Sequence, residues 1–475
     1  SDNLTGVSND PNAEFGLDVK YGLTQNLTAD FTYNTDFAQV EADEQQVNLT
    51  RFNLFFPEKR EFFLENQGTF MFGGVPPTTA AGDTPIFFYS RRIGLNRGLP
   101  VPIEAGGRLT GRVGAFSLGL ASIRSDTDVA AGAIATQFST ARVKRDILRR
   151  SSIGMMWTGR TPSETGGSTN QAVGVDGTFA FFDNLSANMY WARTLDQGTI
   201  AEASSYRTQL DYAADRYGLQ VEHLAVGEAF NPQIGFVRRR DIRRSFAQAR
   251  FSPRPSNSRV VRKLSWVGSG TYIENRAGRV EWRNFDGEFA VELQSSDRLA
   301  IGYGSTYEFL PLPFPIAPEV IVPRGGYEYG AGRVSYTLGQ QWPLSGTASA
   351  EYGTFYGGTR TVVGLRTGRV NFTPRVLAEP TVSINRVDLP QGDFTTRLIG
   401  SRITFTATPL MFVSALLQYN SSTNVVATNV RWRWEYQPGS ELFVVFNDQQ
   451  DTLDARTPDV GNRALIVKIN RVFRP

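Results

Sequence analysis

The feature that most limits what this chain can fold into is a two-residue rhythm that returns along most of its length. In NVRWRWEYQPGSELFVVF (429–446), Val430, Trp432, Trp434 and Tyr436 fall on one face of an extended segment and Arg431, Arg433 and Glu435 on the other. Successive side chains of a strand point to opposite faces, so this is an aromatic face backed by a charged one. SYRTQLDY (205–212) sets Tyr206, Thr208, Leu210 and Tyr212 against Ser205, Arg207, Gln209 and Asp211. MFVSALLQYN (411–420) groups Met411, Val413, Ala415, Leu417 and Tyr419 away from Ser414, Gln418 and Asn420. A period of two, not 3.6, predicts strands.

Compact turn signals punctuate these runs, among them FFDNLS (181–186), YAADRY (212–217), LQSSDR (293–298) and YQPGSE (436–441). Looser connections such as GRTPSETGGSTN (159–170) and FLPLPFPIAPEV (309–320) lie between them. Successive turns recur roughly 30 to 46 residues apart, room for two strands of about ten residues and a longer loop. Short turns alternating with long loops predict an outer-membrane β-barrel. In lipid every backbone amide must be paired, so a sheet spans only if it has no free edge. A soluble propeller would repeat in four-stranded blades, and no blade motif recurs.

The expected fold is all-β: a transmembrane antiparallel β-barrel of about 24 strands, within a range of about 22–26, carrying an internal plug-like segment. Residues 1–12 form a lead-in, 13–34 a first hairpin, 35–83 the plug or periplasmic-mouth segment, and 84–475 the rest of the barrel. The count takes TPIFFYSRR (84–92) as a strand ahead of 103–111, 114–124 and 133–146, with about 18 more after the turn near 147. An even total puts both termini on the periplasmic side. Trp432, Trp434, Tyr436 and Tyr212, beside short turns, form an aromatic girdle at the membrane interface.

Composition agrees with strands and turns: 33 Phe, 17 Tyr, 7 Trp and 46 Gly. No apolar run approaches the length of a membrane helix, and no charged-then-greasy leader opens the chain, which reads as processed or truncated. With no cysteine, disulfides and thiolate metal sites are excluded. A net charge of +3 argues against nucleic acid. Only Lys20, Lys59, Lys144, Lys263 and Lys468 are lysines, so 44 of the 49 basic residues are Arg, which grips carboxylates and phosphates in forked pairs. The one histidine, His223, is read by parity as lying with Gln220, outside any catalytic constellation. No phosphate loop, zinc spacing or EF-hand is present, so neither an enzyme nor a cofactor or metal site is expected.

Residues 35–83 break the rhythm. Asp36, Glu41, Asp43 and Glu44 come first, then a mixed-charge, greasy run in which FPEKREFFLEN predicts a short helix, with Pro57 at its first position and Glu58 in its first turn. Phe62, Phe63 and Leu64 need burial. DFAQVEAD (36–43), FFPEKREFFLEN (55–66), SRRIG (90–94) and LTGRVGAFSLG (109–119) resemble a family of outer-membrane barrels of uncharacterised function that commonly follow a periplasmic domain like the family 9 carbohydrate-binding modules. The resemblance implies that 35–83 starts and finishes at the periplasmic mouth. A barrel of about 20 or more strands leaves a lumen wide enough to leak small solutes, and comparable barrels are plugged; the alternative is a periplasmic flap that packs under the rim. The segment, with Asp36, Glu41, Asp43, Glu58, Lys59, Arg60, Glu61, Phe62 and Phe63, is expected to occlude the lumen, its acids meeting inward Arg207 and Arg431. Asp211, Arg433 and Glu435 are also expected to face the lumen.

Arg238, Arg239, Arg240, Arg243 and Arg244 fall on both faces of an extended strand and predict an extracellular basic rim. It would either grip lipopolysaccharide phosphates or pair with neighbouring acids. The last strand sets Leu465, Val467, Ile469 and Phe473 in phase. Phe473 resembles the terminal signal read by barrel-assembly machinery, and an ordinary closing strand fits equally. The expected function is passage of a solute or polymer across the outer membrane, saccharide-related if the associated module is a guide. The alternative is a non-transporting anchor for a secretion or surface complex, with a periplasmic or surface protein partner.

Overall fold

The computed structural model describes residues 13, 15–35, 43–76, 82–96, 99–164, 169–195, 202–452 and 459–473. Asp36, Glu41 and the lead-in 1–12 lie outside them. The chain is all-β and dominated by one antiparallel sheet of 23 strands. Each strand pairs with the next strand of the sheet along the chain, from Leu17–Thr24 to Asp459–Asn470. Two of the connections carry short strand pairs of their own outside the sheet. Leu27–Thr35 pairs directly with Ile103–Val113, and Arg298–Leu310 with Gly325–Leu338. The second connection folds into a small hairpin, Phe314–Ala317 with Val320–Val322.

One expected strand is missing. Residues 84–92 do not join the sheet: a single bridge pairs Ile86 with Phe236 in the loop before Ile242–Phe251, and the run ends in the 3-10 turn Ser90–Arg92. The physical reason is in the run itself, because Ile86, Phe87, Phe88 and Tyr89 are four consecutive apolar residues and all four are buried. A strand exposed on one face alternates instead. Losing that strand makes the count odd. The first strand begins at the end of the sheet opposite the tight turns, and the last finishes at the tight-turn end, so the two chain ends of the sheet do not share a side as expected. The same parity shift moves the excursion after Thr35: it starts and finishes at the long-connection end, not at the end of the short turns. The contrast in loop length fades late in the chain, where Phe355 to Gly358 and Leu389 to Gly392 are also tight.

Burial is reversed with respect to a water-soluble sheet. In Ser204–Ala213, Tyr206 (42%), Leu210 (46%) and Tyr212 (41%) are exposed, whereas Ser205 (0%) and Arg207 (8%) are buried. Met189, Trp191, Ile399, Leu417 and Trp434 are exposed likewise. The inner face is the one against which residues 43–76 and 82–96 pack, and it carries the charges. Arg142 is among the most deeply buried large side chains, its guanidinium forked onto Asp176 at 2.6 and 2.8 Å.

Candidate functional site: the segment against the inner face

The FFPEKREFFLEN and SRRIG motifs are tied in one knot. Glu58 accepts hydrogen bonds from Arg60 Nε (2.8 Å) and Nη2 (2.7 Å) and from Ser90 Oγ (2.6 Å). Arg60 also donates to the Ile93 carbonyl (2.6 Å) and the Ser90 carbonyl (2.8 Å). Burial pushes the Glu58 carboxyl up, but the hydrogen bonds and charge of Arg60, with Ser90, outweigh it and hold it below the usual carboxylate range. The helix is one turn, Glu61–Leu64, not a run from Pro57. Glu58 lies before it and uses its carboxylate on the backbone N–H groups of Lys59 (3.0 Å) and Arg60 (2.9 Å). Asp43 pairs with Arg91, and Lys59 lies 3.8 Å from it.

From this knot the aromatic half of the segment docks on the wall. Phe63, Phe70, Phe72, Phe87, Phe88 and Ile93 form one buried cluster with wall residues from Ile103 to Ile273. Phe72 stacks on Phe87 at 4.7 Å between ring centres. Gly174 makes room for that ring, since a Cβ there would stand 2.5 Å from Phe72. The turn after it is clamped by its backbone: Gly73, at φ +62°, donates to Asp176 (3.0 Å) and accepts from Arg207 (3.2 Å). Arg108 reaches the carbonyls of Phe62 and Glu65 while paired with Asp30. Hydrogen bonding to Lys20 leads in holding Glu65 below its usual value.

Residues 43–54 reach the opposite stretch of the sheet in a different manner. Glu44 pairs with Arg402 (3.1 Å), the Gln45 N–H donates to Gln418 (2.7 Å), and Arg51 lies 3.3 Å from Glu308 and 3.5 Å from Glu281. Leu49 packs against the buried cluster built by the 314–322 hairpin with Phe355, Tyr356, Val387 and Leu389. Beside Glu44 and Gln45 a cavity of about 600 Å³ opens along strands 325–420, its lining including Arg369, Glu379, Thr381 and Gln418. One segment thus touches the same face of the sheet from Lys20 to Gln418.

Of the expected lumen residues, Arg207, Asp211, Arg431, Arg433 and Glu435 all stand on the inner face by register. Arg207 meets the segment through a carbonyl, and its acid is Glu222 of the neighbouring strand (2.6 Å). Arg431 and Arg433 sit over Phe412, and Arg433 pairs with Glu441. Among the described residues, strand cations that meet the segment's acids include Arg402 for Glu44, Arg108 and Lys20 for Glu65, and Arg244 for Asp83 (4.0 Å), with the loop residue Arg239 also on Asp83 (3.1 Å). Sequence reading missed Arg108, Arg142, Asp176, Glu222 and Arg402. Their signal was present as charges at polar-face positions of alternating strands.

Of the five rim arginines, Arg238, Arg239 and Arg240 lie in the loop before Ile242–Phe251, and only Arg243 and Arg244 in the strand. Arg244 pairs with Glu222 and Arg243 lies 3.8 Å from Glu274, so pairing with neighbouring acids accounts for both. Arg240 donates to Asn231 (3.1 Å). Trp434 and Tyr212 are exposed beside tight turns, with Trp432 stacked on Trp434 at 6.3 Å. An unforeseen row, Tyr217, Phe251, Trp266 and Phe289, stacks near the same end. Phe473 is exposed beyond the last strand, under Arg471. His223 shares its face with Val221, not Gln220, and its Nδ1 lies 3.2 Å from Ser245 Oγ. Among the described residues no three His, Asp or Glu side chains gather as a metal would need.

Residues 3–100 match the model of a domain of unknown function, DUF5916, a stretch that takes in the first two strands and the segment. No curated protein matches the chain.

Proposed function

We propose that this chain is an outer-membrane β-barrel whose lumen is occluded by residues 43–96, and that it passes hydrophilic solutes across that membrane. The observation that carries the reading is the reversed burial: a face of exposed Tyr, Trp, Leu and Ile backed by a face of buried, paired charges. Hydrocarbon on one side and an enclosed polar interior on the other give both faces a suitable partner. A single segment in contact with one face from Lys20 to Gln418 supports a sheet curled round it, which is how a wide lumen is plugged. Aromatic side chains near the tight turns fit a membrane interface, and those turns then face the periplasm. On that reading phospholipid and lipopolysaccharide surround the wall, the barrel-assembly machinery inserts it, and Arg240, the exposed one of the three loop arginines, is placed to meet a lipopolysaccharide phosphate.

Conductance in planar lipid bilayers tests this. The intact chain is expected to pass little current, and deletion of residues 36–83 to raise it several-fold. A flat trace for both, from protein shown to be inserted, would favour an anchor with a permanently closed interior. A chain monodisperse without detergent would end the membrane reading altogether.

A further inference from the structure

The segment is attached in two unlike ways. Residues 55–76 and 82–96 are rooted by a buried aromatic cluster, the Glu58–Arg60 knot and the clamped Gly73 turn. Residues 43–54 form a strap, neither helix nor strand and bent at 50–52, in which, among the described residues, the chain makes no backbone-to-backbone hydrogen bond. The strap is anchored at its far end, where Arg51 meets the buried Glu308 and Leu49 packs on the 314–322 cluster, but its leading end is held by two bonds to Gln418 and by the Glu44–Arg402 pair, in which Glu44 is 65% exposed. An ion pair this exposed contributes little to holding that end in place. The cavity lies on the strap's side of the lumen, and Glu44 and Gln45 form part of its lining.

Resting on the channel reading above, we infer that the solute path runs through this cavity, between the strap and strands 325–420, and that the strap closes it. The chemistry of the lining names the solute class. Arg369 and Arg402 are balanced by Glu44 and Glu379, and the remainder is mostly hydroxyl, amide and glycine, with no aromatic ring among the lining residues. Such a surface selects neither sign of charge and offers no stacking platform. It suits neutral or zwitterionic hydrophilic molecules of the size a space of about 600 Å³ admits.

Because the chain has no cysteine, single thiols can be placed without background. Thr381→Cys lies in the cavity lining, and Thr158→Cys lies on the wall of the rooted half, where Thr158 is buried. With current established in the strap deletion lacking 43–54, a small hydrophilic methanethiosulfonate reagent is expected to cut conductance by more than half in the Thr381→Cys background and to leave the Thr158→Cys background unchanged. The reverse pattern, or no effect at Thr381→Cys in a conducting channel, overturns the path while leaving the channel reading intact. If neither the strap deletion nor the 36–83 deletion conducts, the channel reading fails, and the path with it. In the full-length chain Glu44→Lys should raise open probability about two- to fivefold, and Glu44→Lys with Arg402→Glu should restore the resting level. Unchanged gating in the single variant overturns the strap as the closing element. Liposome swelling with sucrose and glycine should outpace swelling with glutamate and lysine. Equal rates, or faster entry of either charged solute, overturn the solute class.

Discussion

Glu58 and Arg60 occupy a place where neither charge could stand alone. Removing one partner of a buried pair strands the other, at a cost of about 3–5 kcal/mol. Glu58→Ala is therefore expected to release the 55–66 turn from Ser90 and Ile93, read as a large rise in the rate of tryptic cleavage at Arg60. The pH dependence has a definite sign. The folded carboxyl titrates below its ordinary value of 4.5, so its contribution is complete above about that pH and is lost as pH falls through the lower folded value. Hydrogen-exchange protection of the Arg60 backbone N–H, which donates to Glu58, should fall in that acidic window in the wild-type chain, and Glu58→Gln should flatten the fall. At this scale the sequence was half legible. FFPEKREFFLEN and SRRIG stood out as special, but a bond between residues 32 apart, Ser90 to Glu58, leaves no periodic trace. The same run read as a helix from Pro57 because a proline followed by an acid is a helix-start pattern. The acid serves that turn from outside it.

At the scale of the strand, parity was almost fully legible and one failure is instructive. The alternation in 205–212, 411–420 and 429–436 assigned every side chain of those runs to the face where it stands, since a period of two leaves no freedom once one residue is placed. TPIFFYSRR was misread because aromatic and β-branched residues favour strands, while its four consecutive apolar positions demand burial on every side. Parity also sets a sharp test. Ile399 is 45% exposed on the outer face, and Thr381 looks into the cavity from the adjoining strand. Arginine on a lipid face near the midplane costs about 2–4 kcal/mol. Ile399→Arg should lower unfolding stability in lipid bilayers by about that much, and Thr381→Arg by under about 1 kcal/mol, the range of ordinary surface changes. Equal losses in a denaturant titration would count against a lipid-facing outer surface. Within the core, Gly174→Leu should displace Phe72 and cost about 1–3 kcal/mol by overpacking, with Gly287→Leu, whose Cβ meets open space, as the neutral comparison.

At the scale of the whole molecule the two outermost strands pose the remaining problem. Leu17–Thr24 and Asp459–Asn470 each pair on one side only among the described residues, and all eight residues of the first are exposed. An unpaired strand edge cannot lie in hydrocarbon, where each orphaned amide costs several kcal/mol. An odd number of antiparallel strands also makes these two edges run in the same direction, so a closing seam between them would be parallel, as in odd-stranded barrels generally. On the outer face the first strand presents Val19 and Tyr21, and the last presents Leu465, Val467 and Ile469, all exposed. Closure would bring these rows side by side with strands about 4.8 Å apart, close enough for a disulfide or a short cross-linker. In this cysteine-free chain, Tyr21→Cys combined in turn with Leu465→Cys, Val467→Cys and Ile469→Cys should give at least one intramolecular cross-link in bilayers, seen as a monomer of altered mobility on electrophoresis. Cross-linking confined to dimers would mean that the edges are satisfied by a second copy of the chain, and the lumen would then belong to the assembly.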